Sequence, residues 1–282
     1  SYEQARKERG EIIGGWNEVR WLSESIREIF IKATQSHDQE IIGDVAYLPV
    51  AIAIRAIKSG DQFVYQEFLK FPSYLYWLAL KEENKDTREF MVDRSWRHLK
   101  EMSDYYIEYQ LKRKASDVDS IKKYRDFTIP IFIAFQNLLK TAFDKRDFES
   151  FQAFLNKFSG LYHDFEPHNE YPSAEHLKQS LNWTQDSSEK EAISKKVEVQ
   201  EEKEKAAKDI QLKKRQVIFG LSAWIFEQYR NSPSDEILTK FYTDIANRLP
   251  NSLPELTELY GSSRQFETER FWDWDNWEMI PD

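Results

Sequence analysis

Cysteine is absent from the 282 residues. That excludes a disulfide framework, a thiolate metal site and a cysteine nucleophile, and it agrees with a reducing compartment. Glycine and proline are sparse, with 8 and 9 copies, too few to punctuate a fold of many short strands and turns. Long apolar runs are missing as well. The longest, "YLPVAIAI" from Tyr47 and "IPIFIAF" from Ile129, fall well short of the ~18 to 20 residues a bilayer-spanning helix needs. Basic charge is also in deficit, with 40 Lys and Arg against 49 Asp and Glu for a net charge of −9. A chain of that sign repels phosphate backbones and anionic headgroups, so no general nucleic-acid binding is expected.

Catalytic signatures are missing too. There is no phosphate-binding glycine loop with its lysine, no dinucleotide fingerprint, no nucleophile elbow, no kinase signature and no zinc-protease motif. With so many carboxylates, no pair stands out as a general acid and base. Gly14 and Gly15 read as a helix boundary rather than a phosphate cradle.

What is present favours helices. Hydrophobic residues make up 40% and aromatic residues 15% of the chain, ample for a packed core. Strong helix formers fill the long stretches between the few breakers. The predicted class is all-α. From Glu18 to Lys32, Val19, Leu22, Ile26, Ile29 and Phe30 recur at three- and four-residue steps, as one face of an amphipathic helix requires.

The most informative pattern is a repeated sentence. "DVAYLPVAIAIRAIKSGDQFVYQEFLKF", from Asp44, returns as "IPIFIAFQNLLKTAFDKRDFESFQAFLNKF", from Ile129. Each copy has a proline, expected in the first turn of a helix, then an apolar helix, a polar turn ending in aspartate, and a helix with a Phe-Leu pair. The same offset separates Asp61 from Asp147, Phe68 from Phe154 and Tyr76 from Tyr162. A weaker echo runs from Val217 through Asp235 to Ile237, Leu238, Phe241 and Ile245. The expected architecture is duplicated helical hairpins with long connecting helices, helical-repeat-like or a bundle, stacked so that neighbours cover each other's apolar faces. Between the first two copies, the stretch from Arg88 to Lys114 reads as one long helix with Phe90, Trp96, Leu99, Met102, Tyr106 and Leu111 inward.

Composition divides the chain into a helical lobe over 1–165, a polar loop with two prolines over 166–186, a unit over 187–260, and a tail over 261–282. In the third segment, residues 187–215 predict an exposed charged helix with a broken seam of Ile193, Val197, Ala207 and Ile210, a self-association arm of coiled-coil type or a solvated connector. The basic clusters "LKRK" (111–114), "KKYR" (122–125) and "LKKR" (212–215) read as solvated helix faces.

Candidate sites are few. His163, Asp164, Glu166, His168, Glu170, Glu175 and His176 are ligand types that zinc or manganese takes, with His163, His168 and His176 as the imidazoles. Their spacing matches no known ligand pattern. His98 reads as a helix-surface residue and His37 as part of a turn. Trp272, Trp274 and Trp277 alternate with acids in "ERFWDWDNWEMIPD", and large aromatics of this kind anchor protein interfaces. Arg55 lies in an otherwise apolar helix, so its charge needs a carboxylate, for which Asp61 is the nearest candidate, or an exit to the surface.

"DVAYLPVAIAIRAIKSGD" resembles a phrase in an uncharacterised family of bacterial predicted membrane proteins, through Ile52, Ala53, Arg55, Ala56, Ser59 and Gly60. The family's Asn-Asp after the glycine is replaced by Asp61-Gln62. The resemblance implies the cytosolic portion of a membrane-attached protein and supplies no activity. A start at Ser1 followed by a charged "YEQARKERG" fits a piece of a longer chain, with attachment through a segment outside it.

The expected function is therefore a non-enzymatic helical interaction or regulatory domain, a scaffold that docks a protein partner or a second copy of itself. Its expected place is the cytoplasm, at the cytosolic face of a membrane if the resemblance holds, with no cofactor and no membrane insertion by these residues. The competing class is a metal-dependent hydrolase built on the His and acid loop over 163–176.

Overall fold

A computed structural model describes residues 16–103, 107, 115–164 and 173–248, and all regular structure among them is helical. In chain order the helices are α1 (Trp16–Gln35), α2 (Gln39–Ser59), α3 (Gln62–Phe68), α4 (Phe71–Ala79) and α5 (Lys85–Glu101), followed by α6 (Val118–Asp144), α7 (Phe148–Asp164), α8 (Ala174–Trp183), α9 (Ser187–Asn231) and α10 (Glu236–Arg248). The protein is all-α over these residues. Gly14, Gly15, Tyr106 and residues 111–114 lie outside them.

Local chemistry sets where most helices begin. Asp38, Asp61, Asn84, Asp117, Ser173, Asp186 and Asp235 each accept a hydrogen bond from first-turn backbone amides, satisfying donors that have no partner inside the helix. Pro72 falls in the first turn of α4, where its missing N–H is harmless. Pro49 and Pro130 do not fall where expected: both lie well inside α2 and α6. The capping aspartates Asp38 and Asp117 start those helices far upstream. Each proline removes one intrahelical hydrogen bond and crowds the carbonyl one turn back. Burial of Ala46, Val50 and Ala53 around the first, and of Phe127, Ile131 and Ala134 around the second, holds the helix together across it.

The repeated sentence has a common local build, atom for atom. In α2–α3 the Asp61 amide donates to the Ala56 carbonyl at 2.9 Å, and the Asp61 carboxylate accepts from the Val64 amide at 3.1 Å. In α6–α7 the Asp147 amide donates to Ala142 at 2.9 Å, and the Asp147 carboxylate accepts from Ser150 at 3.1 Å. The residue before each aspartate is left-handed, Gly60 at φ 80° and Arg146 at φ 58°. Tyr65 and Phe151, then Phe68 and Phe154, follow at equivalent positions with their side chains fully buried. In α9–α10 the cap recurs at Asp235, which accepts from Ile237 and Leu238, but left-handed residues among those described are confined to His37, Gly60 and Arg146. His37 immediately precedes the cap Asp38, so the turn between α1 and α2 uses the same device.

Local likeness does not extend to stacking of all three hairpins. The second and third lie in register: α6 packs along α9 and α7 on α10. There Phe143 meets Trp224 at 4.4 Å and Phe241 at 4.8 Å, Phe151 meets Phe241 at 4.8 Å, and Arg146 in one turn pairs with Asp235 in the next at 2.6 Å. The first hairpin instead sets its turn against the beginning of α6. The Lys123 ammonium donates to the Lys58 carbonyl at 3.2 Å, and the buried Tyr65 hydroxyl to the Phe127 carbonyl at 2.8 Å. Helices α4 and α5 come between, and α4 reaches the second hairpin through Tyr76, whose hydroxyl donates to the Asp147 carboxylate at 2.9 Å while its ring meets Phe154 edge-on at 5.0 Å. Burial raises the Tyr76 phenol, with the Asp147 carboxylate adding to the effect.

Asp147 is therefore both a helix cap and the acceptor for a mostly buried tyrosine. Asp147→Ala is expected to cost about 2 kcal/mol or more, against ~1 kcal/mol for Asp186→Ala at the exposed start of α9. Urea denaturation of the two variants checks the ranking, and equal losses would mean that Tyr76 does not depend on Asp147.

Three further expectations change. Residues 174–183 form α8 where a loop over 166–186 is predicted, because Ser173 caps them and Ala174 packs inward. The stretch from 187 to 215 is helical as expected, part of the single helix α9, but its seam is not left exposed: Val197, Ala206 and Ile210 are buried, with Ala206 taking the place expected for Ala207. Arg125 on α6 pairs with Asp209 at 3.3 Å and lies 3.8 Å from Glu202, both on α9. The basic clusters are also not wholly solvated. Lys214 is buried with its ammonium 5.8 Å from the Phe132 ring, and its aliphatic stem fills space between α6 and α9. A single apolar core runs from Val19 to Ile245.

Candidate functional site

The described residues concentrate their exposed large apolar side chains at one end of the fold. Trp21, Leu22, Ile29 and Ile31 on α1, and Ile41, Tyr47 and Leu48 on α2, all stand in solvent; elsewhere only Trp183 and Leu212 do. Trp21 is 69% exposed and Tyr47 51%. The helices are long and amphipathic, and each has its inner stripe filled: Val19, Ile26, Phe30 and Ala33 on α1, and Ile42, Ala46, Val50, Ala53 and Ile57 on α2. The outer apolar residues are surplus to that core. Leu22 and Ile29, expected on the inner face of α1, are among them. Helix α2 is flanked by α1 on one side and by α5 on the other, where Phe90 lies so near Gly43 that a Cβ there would stand 3.4 Å from its ring.

Beneath this surface an ionic cluster ties α1 to α3. Arg27 is 6% and Glu67 8% exposed, with 3.6 Å between guanidinium and carboxylate. The Ser23 hydroxyl donates to the same Glu67 oxygen at 3.1 Å, the Arg27 guanidinium donates to Ser23 at 3.1 Å, and Lys70 pairs with the second Glu67 oxygen. The rings of Tyr74 and Phe71 lie 5.6 and 5.8 Å from the guanidinium. Burial lowers the Arg27 pKa to about 10, and the Glu67 carboxylate is the chief group opposing that fall. The cluster leaves Arg27 charged at neutral pH and locks α1 in place. Its sequence signal was the step pattern Ser23, Ile26, Arg27, Phe30, which puts Arg27 on the inner stripe.

Residues singled out from the sequence fall as follows. Arg55 is exposed on the outer face of α2, while the Asp61 carboxylate caps α3; no ion pair joins them, and Arg55 has the surface exit its charge requires. His176 is exposed at the start of α8, its Nδ1 3.1 Å from the Ser173 hydroxyl. His168, Glu166 and Glu170 lie outside the described residues, as does the side chain of His163. Among the described residues no group of three or more His, Asp or Glu is arranged to hold a metal ion. Trp272, Trp274 and Trp277 lie outside the described residues. His98 is not on the helix surface, as its sequence position suggests, but 3% exposed on the inner face of α5, beside Ser95, Leu99 and Met102. Burial, with a smaller contribution from Arg94, lowers its pKa to about 3.

Among the described residues no helix is long and apolar enough to cross a membrane. In comparison with known proteins, the chain matches no family model, no curated protein and no solved structure.

Proposed function

We propose that the chain is a non-enzymatic helical interaction domain whose docking surface is the outer face of α1 and α2. The observation that carries this reading is the clustering of Trp21, Leu22, Ile29, Ile31, Ile41, Tyr47 and Leu48 on the first helical pair. Helical stacks bury their inner faces between neighbours and leave the terminal face to be covered by polar residues or by a partner. Here the terminal face carries seven exposed large apolar side chains among its charged residues, with the Arg27 and Glu67 cluster behind it. The setting that fits is the cytosolic part of a bacterial membrane-attached assembly, as the likeness around Arg55 implies. Nothing among the described residues favours metal-dependent hydrolysis over this reading.

The test is site-specific photo-crosslinking in the cells that encode the protein, with the reactive amino acid replacing Trp21 or Tyr47, and Lys195 on exposed α9 as control. Discrete adducts from positions 21 and 47, absent from position 195, are the expected result. Adducts no stronger than the control would end the proposal.

A further inference from the structure

We propose that the partner of this surface is a second copy of the chain, docked antiparallel along the outer stripe of α2; this rests on the interaction reading above and gives it an occupant. Glu40, Asp44, Leu48, Ala51, Arg55 and Lys58 follow one another at three- and four-residue steps, so they share one face of the helix. All but half-buried Ala51 are exposed. The order of chemistry along this stripe is acidic, apolar, basic. Asp44 and Arg55 stand at equal distances from a point midway between Leu48 and Ala51, and Glu40 and Lys58 mark the two outer ends.

A two-fold axis through that point makes the stripe its own complement. Asp44 of one copy meets Arg55 of the other, and the reverse pair forms symmetrically. Leu48 of each copy faces the small Ala51 of its partner, which allows a ridge of one helix to enter the groove of the other. A parallel arrangement would set Asp44 on Asp44 and Arg55 on Arg55, so the charges select the antiparallel one. Neither Asp44, Glu40 nor Arg55 has an ion-pair partner among the described residues. Charges flanking an apolar seam are partly desolvated when it closes, which strengthens their coupling over that of an exposed pair.

The experiment is sedimentation equilibrium of the full chain over a range of concentration, at low and at physiological salt. It compares the natural protein with Asp44→Arg, Arg55→Asp and the double exchange. Both substituted positions are exposed, and circular dichroism melts of all three variants check that folding is kept. The expected result is a concentration-dependent dimer that each single reversal weakens by about tenfold or more, since each is felt twice across the axis, and that the double exchange restores. A monomer at every concentration overturns the proposal, and so do variants that all associate like the natural protein. Crosslinking separates this failure from that of the broader reading: adducts with a different protein at positions 21 and 47 leave an interaction domain without self-association, and no adducts remove both.

Discussion

Glu67→Ala is expected to destabilise the protein by about 3 to 5 kcal/mol, the usual consequence of removing one member of a buried ion pair. Glu67 offsets the cost of burying the Arg27 charge across 3.6 Å and accepts from Ser23 at 3.1 Å. Without it the guanidinium keeps its place between α1 and the rings of Phe71 and Tyr74, but its charge loses the carboxylate that most favours it. At neutral pH deprotonation offers little relief, because a pKa of about 10 still leaves Arg27 charged. Replacing both residues with methionine is expected to recover most of the loss, since a buried pair and an apolar pair of like volume differ little. Urea denaturation decides it. A loss below about 1 kcal/mol for Glu67→Ala would show that α1 is held by its apolar stripe alone.

Acid is expected to weaken the fold through His98. In the unfolded chain this imidazole takes up a proton near 6.5, and in the folded protein only near about 3. Between those values the unfolded state binds more protons, so stability falls as pH drops through 6.5 and the loss levels off below the folded value. Between pH 7.5 and 4.5 this single group contributes a loss of about 3 kcal/mol. Carboxylates titrate in part of the same range, so the comparison is with His98→Gln, which cannot take up the proton. The natural protein should lose about 3 kcal/mol more than the variant over that interval, read from urea denaturation at the two pH values. Parallel pH profiles would place His98 in contact with water.

The elements themselves were largely legible. Amphipathic spacing located α1, the apolar cores of α2 and α6, and the helices carrying Phe68, Phe154 and Phe241, because side-chain periodicity is a property of neighbouring residues. The aspartates at positions 61 and 147 could be paired from spacing alone, and each makes the same cap. The polar stretch at 174–183 misled, since helix formation there follows from the Ser173 cap and from packing of α8 against α9. Pro49 and Pro130 misled in the opposite sense: proline usually marks a helix start, but strong burial on both sides carries the helix through. His98 and Lys214 look like surface residues when only their type is considered. Each lies on an inward-facing position of its helix, and neighbouring helices close over it.

The candidate surface was half legible. Leu22, Ile29, Tyr47 and Leu48 read as ordinary members of apolar stripes, and nothing in the order of residues distinguishes an inner stripe from one left facing solvent. That distinction depends on how many helices pack around α2. The sequence by itself determined the helical class and the kinship of the hairpins, because side-chain periodicity and turn chemistry act within a turn or two of chain and recur wherever the same residues do. Tertiary structure alone decided that Tyr76 holds Asp147, that Arg27 meets Glu67, and that only the second and third hairpins stack in register. Such contacts join residues far apart in the chain, and which of them form is selected by the packing that buries the most apolar surface.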